Sequence, residues 1–273
     1  MYPPRKRGRT DVSASTAGAQ VWLINVVHGH LSARRGYARK IASTYMVRTT
    51  CKTILRRAGW KASRIADWPR LLGHLSPTTV LDVGAAYGTP ELYASFPRAY
   101  QVLIDPLKEY GPRLDEAVLS KYPGEFVNTA VGSRVTDLEM HVDHEMLTMS
   151  SFQDRTSFTI RGVATEPRRV PVTTLDRLLQ ERAWEPPFFL KIDSEGYELE
   201  VVNGAAALLA ETSAVLAETS VLPRFRGGYT LDQFVTAMTD HGFVATNVLE
   251  VPTDRRGRVP WLNLLFERHP PGG

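Results

Sequence analysis

In "VLDVGAAYGTPELYASF", residues 80–96, an acid at the end of an apolar run is followed by two glycines four apart and then a helical pattern. Glycines let the backbone approach a ligand closely, and the first turn of the helix behind them offers unpaired N–H groups. Gly84 and Gly88 therefore make an elbow suited to a nucleotide. Asp105 ends the next apolar run, where an acid can hydrogen-bond ribose hydroxyls. The dinucleotide fingerprint G-x-G-x-x-G is missing, because the spacing is Gly84-x-x-x-Gly88 with Asp82 ahead of it. An acid there suits a pyrophosphate badly. It suits the cationic amino-acid end of a sulfonium nucleoside such as S-adenosylmethionine.

A second group of acids lies further along the chain: Asp193 and Glu195 in "LKIDSEGYELE", and Glu218 at the end of "SAVLAE". If the reaction removes a hydroxyl proton, one positioned side chain must take it. Asp193, Glu195 and Glu218 are candidates, and so are His141 and His144, which precede a polar Ser/Thr-rich loop. Each has a plainer reading. Glu195 could serve only as an acid near a helix N-terminus, where the dipole favours it. The histidines fit surface positions of a strand, and Lys191 fits a partner for a buried carboxylate.

Short apolar runs must position these groups: "TVLDV" (79–83), "YQVLID" (100–105), "EFVNTAV" (125–131), "PFFLKID" (187–193) and "SAVLAE" (213–218). Short, mainly apolar runs of this length read as parallel strands buried on both faces. Helical patterns alternate with them. Thr89-Pro90-Glu91 gives a cap, a proline at the first helical position and an early acid; Thr173 and Asp176 make a capping-box pair; Thr230 starts a helix that Gly242 ends. "GFVATNVL" and "WLNLLFER" read as a closing hairpin. Residues 134–172 break the rhythm and are expected to form two edge strands around a loop. The pattern predicts an open α/β sheet with helices on both faces.

Composition narrows the classes. The single cysteine, Cys51, rules out an intrachain disulfide framework and a multi-cysteine zinc site, and suits a reducing cytoplasm. The run "VWLINVV" is too short to span a bilayer or to serve readily as a signal core. Residues 1–70 carry 15 Lys/Arg against Asp11 and Asp67, a net +13, and the remainder carries 18 basic and 27 acidic residues, a net −9. Residues 1–18 read as a disordered basic tail, 19–70 as a basic helical extension with Ser32 capping a helix to about Arg57, and 71–273 as the main domain.

The stretch "LKIDSEGYELEVVNGA", residues 190–205, resembles the signature of the FkbM-type methyltransferase family: an apolar strand, Lys-Ile-Asp, a Glu-Gly pair and a Glu-bearing helix. The resemblance runs through "VLDVGAAYG", "LIDP" (with Asp105 where Glu is commoner), "NTAVGS", "VPVTTLDRLL" and "WLNLLFER", but leaves the first 70 residues uncovered. It implies a class I, S-adenosylmethionine-dependent methyltransferase, most often an O-methyltransferase. The implied fold is an open, mostly parallel seven-stranded sheet with a C-terminal antiparallel hairpin. On this chain Asp82, Gly84, Ala85, Tyr87 and Gly88 would frame the methionine end of the cofactor and Asp105 its ribose. Ala130 and Val131 would flank the adenine, and Asp193 would lie near the sulfonium.

The implied acceptor is a hydroxyl on a small molecule or glycan. A nucleic-acid methyltransferase using the basic arm is an alternative, although the main domain lacks basic–aromatic interleaving. A nicotinamide-dependent oxidoreductase is another, disfavoured by the glycine spacing, and a degenerate binding domain a third. The arm around residues 19–60 suits an anionic membrane surface, which would make a cytoplasmic protein peripheral to the membrane.

Overall fold

Residue Thr79 opens the first of the buried apolar runs in the computed structural model, which describes residues 67–144, 147–156 and 165–268. The expected basic tail and the helix from Ser32 lie outside the described residues. The strands are β1 (Thr79–Val83), β2 (Tyr100–Ile104), β3 (Gly124–Val127), β4 (Ala130–Val131), β5 (Thr136–Asp143), β6 (Thr165–Thr173), β7 (Phe188–Ile192), β8 (Thr212–Ser220), β9 (Phe243–Glu250) and β10 (Trp261–Arg268). The helices are α1 (Trp68–Leu72), α2 (Pro90–Ser95), α3 (Gly111–Leu114), α4 (Leu175–Glu181), α5 (Glu198–Asn203), α6 (Ala206–Ala210) and α7 (Leu231–Asp240).

Seven strands form one sheet in the order β3-β2-β1-β7-β8-β10-β9. The four pairings from β3 through β8 are parallel, while β10 runs antiparallel to both β8 and β9. This is the class I methyltransferase arrangement with its closing hairpin. The chain leaves β1 toward β2 and β3, then crosses back to place β7 on the other side of β1. Strand order therefore reverses between β1 and β7, and a ligand crevice belongs at the carboxyl ends of those strands.

Both faces of the sheet are covered, as a parallel sheet requires. Leu81, Val83, Ile104, Leu190 and Ile192 pack with Val201 of α5 and with Phe234 and Met238 of α7. Val80, Leu103, Phe189 and Leu216 pack on the other face with Leu92 and Tyr93 of α2 and with Leu114 of α3. Each such side chain, fully withdrawn from water, contributes about 1.5–3 kcal/mol before chain entropy is counted.

Local chemistry differs from the sequence reading in three places. The run 125–131 is not one strand. Val127 pairs with Ile104 in the main sheet, but Ala130 pairs with Val172 elsewhere. The chain turns between them, where Asn128 Nδ2 donates to the Asp105 carbonyl at 3.0 Å. Accordingly β5 and β6 are not edges of the main sheet: with β4 they make a separate three-stranded sheet, β4-β6-β5. The capping box expected at Thr173 is shifted by one. Thr174 caps α4 by accepting from Arg177 N at 3.0 Å, while Asp176 accepts from Ala207 N and Leu208 N and so caps α6. At Thr89 the hydroxyl is diverted from its own helix to Asp82. The Thr230–Gln233 box on α7 is formed as expected, and Gly242 (φ +81°) ends that helix.

Candidate functional site

Where β1 ends, the backbone turns into the left-handed region at Gly84 (φ +73°). A Cβ there would lie 1.8 Å from the Asp193 carbonyl oxygen, so only glycine lets the ends of β1 and β7 pass this closely. Ala86 (φ +44°) donates its N–H to Asp105 Oδ2 at 3.0 Å, and Leu107 N donates to Asp105 Oδ1 at 2.9 Å. Asp105 thus ties the elbow to the loop after β2. Burial raises its pKa to about 6, against the pull of those two backbone donors.

A cavity of about 170 Å³ opens beside this elbow, at the carboxyl ends of β1, β2, β7 and β8. Its apolar wall includes Ile104, Leu107, Ala130, Val131 and Met140. Strand β5 of the small sheet and the segment that follows it close the remaining side, through Met140, Leu147 and Phe152. Of the expected cofactor residues, Gly84, Asp105, Ala130, Val131 and Asp193 line this cavity.

Asp82 does not. It is wholly buried, accepting from Lys191 Nζ at 2.8 Å, from Thr89 Oγ1 at 2.9 Å and from Tyr93 OH at 2.5 Å. The parallel register sets Asp82 beside Lys191, which points both side chains to one face of the sheet. Burial alone would lower the Lys191 pKa; the Asp82 and Asp193 carboxylates outweigh it and hold the ammonium charged. Asp82 supports the elbow from beneath. Ala85, Tyr87 and Gly88 also lie off the cavity wall. Ala85 is buried, and Tyr87 stands exposed, edge-on to Tyr110 at 5.0 Å with Arg113 4.4 Å over its ring. Gly88 (φ +89°) faces Val118 and Tyr93.

The second group of acids converges on the cavity. Asp193 lies 3.6 Å from Lys191 Nζ and keeps 35% of its side chain exposed. Glu195 sits at φ +50° in the turn before α5, and its Oε2 accepts from Arg224 at 2.7 Å and Arg155 at 3.0 Å. Glu218 Oε1 accepts from Arg224 at 2.5 Å. Burial raises the pKa of both glutamates, and Asp193 pushes in the same direction while the guanidinium groups oppose it. Glu195 is therefore part of a buried ion network rather than a simple helix-end acid.

His144 lies on the surface, off the cavity wall, with its Nε2 2.5 Å from Glu166. His141 is 3.6 Å from Asp154. Alternation along β5 accounts for His141, since Met140 and Val142 turn inward and His141 turns away, and His144 stands beyond the end of that strand.

Reading the sequence missed several side chains. Glu198 is buried; its Oε1 accepts from Ser194 N and Gly196 N, both at 3.0 Å, and its Oε2 accepts from Tyr229 OH at 2.8 Å. Burial raises its pKa to about 7. In sequence it looks like any first-turn helix acid. Arg224 lies 29 residues from Glu195 and 6 from Glu218, and Arg155 lies 40 from Glu195; the fold rather than a motif joins them. Tyr110 OH and Ser194 Oγ are buried polar atoms without a hydrogen-bond partner, and both residues line the cavity. Among the described residues no group of His, Cys, Asp and Glu is arranged to hold a metal ion.

The methyltransferase FkbM domain family matches residues 82–245. No curated protein matches the chain. Among solved structures, methyltransferase FkbM from Methylobacillus flagellatus KT is 16% identical with a TM-score of 0.42, over 70% of this chain and 43% of that one. Magnesium protoporphyrin IX methyltransferase from Synechocystis PCC 6803, with bound SAM, is 12% identical with a TM-score of 0.42, over 93% and 92% of the two chains. Ribosomal protein L11 methylase from Lactobacillus delbrueckii subsp. bulgaricus is 13% identical with a TM-score of 0.41, over 74% and 75%. This chain thus spans less than half the length of the FkbM structure. The family's domain covers more than half of this chain, from the elbow to β9, and its strand order is that of a class I methyltransferase: the chain belongs to the FkbM methyltransferase family.

Proposed function

We propose that the protein is an S-adenosylmethionine-dependent methyltransferase that acts on a hydroxyl of a small molecule or glycan. One observation carries this reading. The cavity at the strand ends is walled by four carboxyl side chains, Asp105, Asp193, Glu195 and Glu218, and no lysine or arginine among the described residues lines it. Such a site suits a ligand with net positive charge. The two unpartnered hydroxyls, on Tyr110 and Ser194, fit a polar ligand that supplies the missing hydrogen bonds.

When bound, S-adenosylmethionine supplies a methyl group already activated by positive sulfur. The chain's own residues then have to hold, align and deprotonate. Asp105 would hold the ribose with the lone pairs left over from Ala86 N and Leu107 N, and Ala130 and Val131 would flank the adenine. Asp193 would position the acceptor hydroxyl. Glu218, whose burial raises its proton affinity against the opposing pull of Arg224, is the better base of the two. Membership of a methyltransferase family sets the nicotinamide alternative aside.

For residues 19–60 we propose an anionic membrane surface as partner. Among the described residues no helix is long and apolar enough to cross a membrane.

Ultraviolet cross-linking of methyl-labelled S-adenosylmethionine tests the cofactor reading. Label is expected on peptides carrying residues 104–110 or 193–197, removed by excess S-adenosylhomocysteine and retained in excess NAD. Label confined to other peptides, or protection by NAD, would overturn it.

A further inference from the structure

An amino-acid end carries a carboxylate as well as an ammonium group, and the cavity wall has no charge to receive it. Carboxyl side chains line the wall, with no lysine or arginine among the described residues. The nearby backbone donors are largely spent within the fold. At the elbow, Gly84 N and Ala85 N donate to the Ile104 carbonyl at 2.9 and 3.2 Å. Ala86 N donates to Asp105 at 3.0 Å, and Gly88 N to the Ala85 carbonyl at 2.6 Å. On the facing turn, Ser194 N and Gly196 N both donate to Glu198.

Two buried hydroxyls on this wall are uncommitted. Tyr110 OH and Ser194 Oγ have no hydrogen-bond partner among the described residues, and Tyr110 is only 2% exposed. Both residues stand against the elbow. The Tyr110 ring meets Tyr87 edge-on at 5.0 Å, and Ser194 N lies 3.5 Å from where a Cβ on Gly84 would be. Burial, and then the charge of Asp105, raise the Tyr110 pKa, so its hydroxyl keeps the proton it would donate. Resting on the cofactor reading above, we infer that the hydroxyls of Tyr110 and Ser194 receive the carboxylate of the cofactor's amino-acid end. Hydrogen bonds to an ionised acceptor are about twice as strong as neutral ones, so two hydroxyls hold a carboxylate without a counter-charge. S-Adenosylhomocysteine carries the same carboxylate, so donor and spent nucleoside are held alike at this end.

Calorimetric titration of the full chain with S-adenosylmethionine and with its decarboxylated form, which lacks that carboxylate alone, tests this. Tyr110→Phe and Ser194→Ala should each bind S-adenosylmethionine about tenfold more weakly than the wild type. Each should bind the decarboxylated form as the wild type does, which also shows that the variant is folded. The melting temperature of Tyr110→Phe without nucleoside should not fall, since the hydroxyl it removes has no partner in the protein. A variant that weakens both nucleosides alike, or neither, overturns the inference for its hydroxyl and leaves the cofactor reading standing. A lowered melting temperature in Tyr110→Phe would show that hydroxyl to be spent in the fold, and would overturn its part too. A wild type that does not bind S-adenosylmethionine removes that reading, and the inference with it.

Discussion

Asp105 shows how one carboxylate can serve structure and binding together. Its two oxygens already accept the N–H groups of Ala86 and Leu107, so replacing it by Ala removes a loop tie as well as the proposed ribose contacts. Hydrogen bonds to a charged group are worth about 1.5–3 kcal/mol each. Asp105→Ala should therefore weaken S-adenosylmethionine binding at least tenfold, read by calorimetry; unchanged affinity would remove Asp105 from the ribose site. Glu198 gives a stability prediction with a definite sign. Its pKa stands at about 7 in the folded protein against an ordinary 4.5, so the folded state holds the proton more tightly than the unfolded chain. That contribution is complete below about pH 4.5 and lost as pH rises through about 7, a change of up to about 3 kcal/mol. Glu198→Gln is always neutral. Its melting temperature should gain on the wild type between pH 5 and pH 8, and parallel pH profiles would contradict the assignment. At this scale the strand-end acids Asp105, Asp193, Glu195 and Glu218 were legible, because apolar runs end where they stand. Whether an acid faces the cavity or sits beneath it, as Asp82 does, depends on its cross-strand neighbour Lys191, more than a hundred residues away.

The elbow and the turn after β7 act as one element. With φ +73° and the Asp193 carbonyl in the space of its missing Cβ, Gly84 fixes how closely β1 and β7 approach. Gly84→Ala must move the end of one strand and hold a left-handed residue, which alone costs about 1–2 kcal/mol. A clear fall in denaturation midpoint is expected, together with lost nucleoside binding; a variant as stable as the parent would show that the elbow is slack. On the other side, Tyr229 OH donates to Glu198, which in turn holds the backbone of Ser194 and Gly196. Tyr229→Phe should lower turnover more than it raises the KM for S-adenosylmethionine, since it loosens the turn carrying Asp193 and Glu195 without touching the ribose side. An equal change in both would point to a merely structural role. The parallel strands and the closing hairpin could be read from run length and turn residues. The split of residues 125–131 and the separate small sheet could not, because Val127 and Ala130 look alike in sequence and differ only in which partner strand they meet.

Over the whole molecule, charge is divided sharply, +13 over residues 1–70 and −9 over the rest. A fold needs no such separation, and the self-repulsion within the arm calls for an anionic partner. The proposed membrane contact should appear as co-sedimentation of the full chain with anionic vesicles at low salt. High salt should abolish it, and each basic residue near the surface should contribute about 1 kcal/mol. No sedimentation at low salt would rule the membrane out. That arm was readable from composition alone, whereas the cavity was not, because its wall is assembled from four strand ends and a small sheet distant in sequence. The central claim is that this wall holds S-adenosylmethionine. Equilibrium titration of the full chain with S-adenosylmethionine and, separately, with NAD tests it most directly. The expected result is saturable one-to-one binding of S-adenosylmethionine and none of NAD, and binding of NAD, or no binding of S-adenosylmethionine, would contradict it.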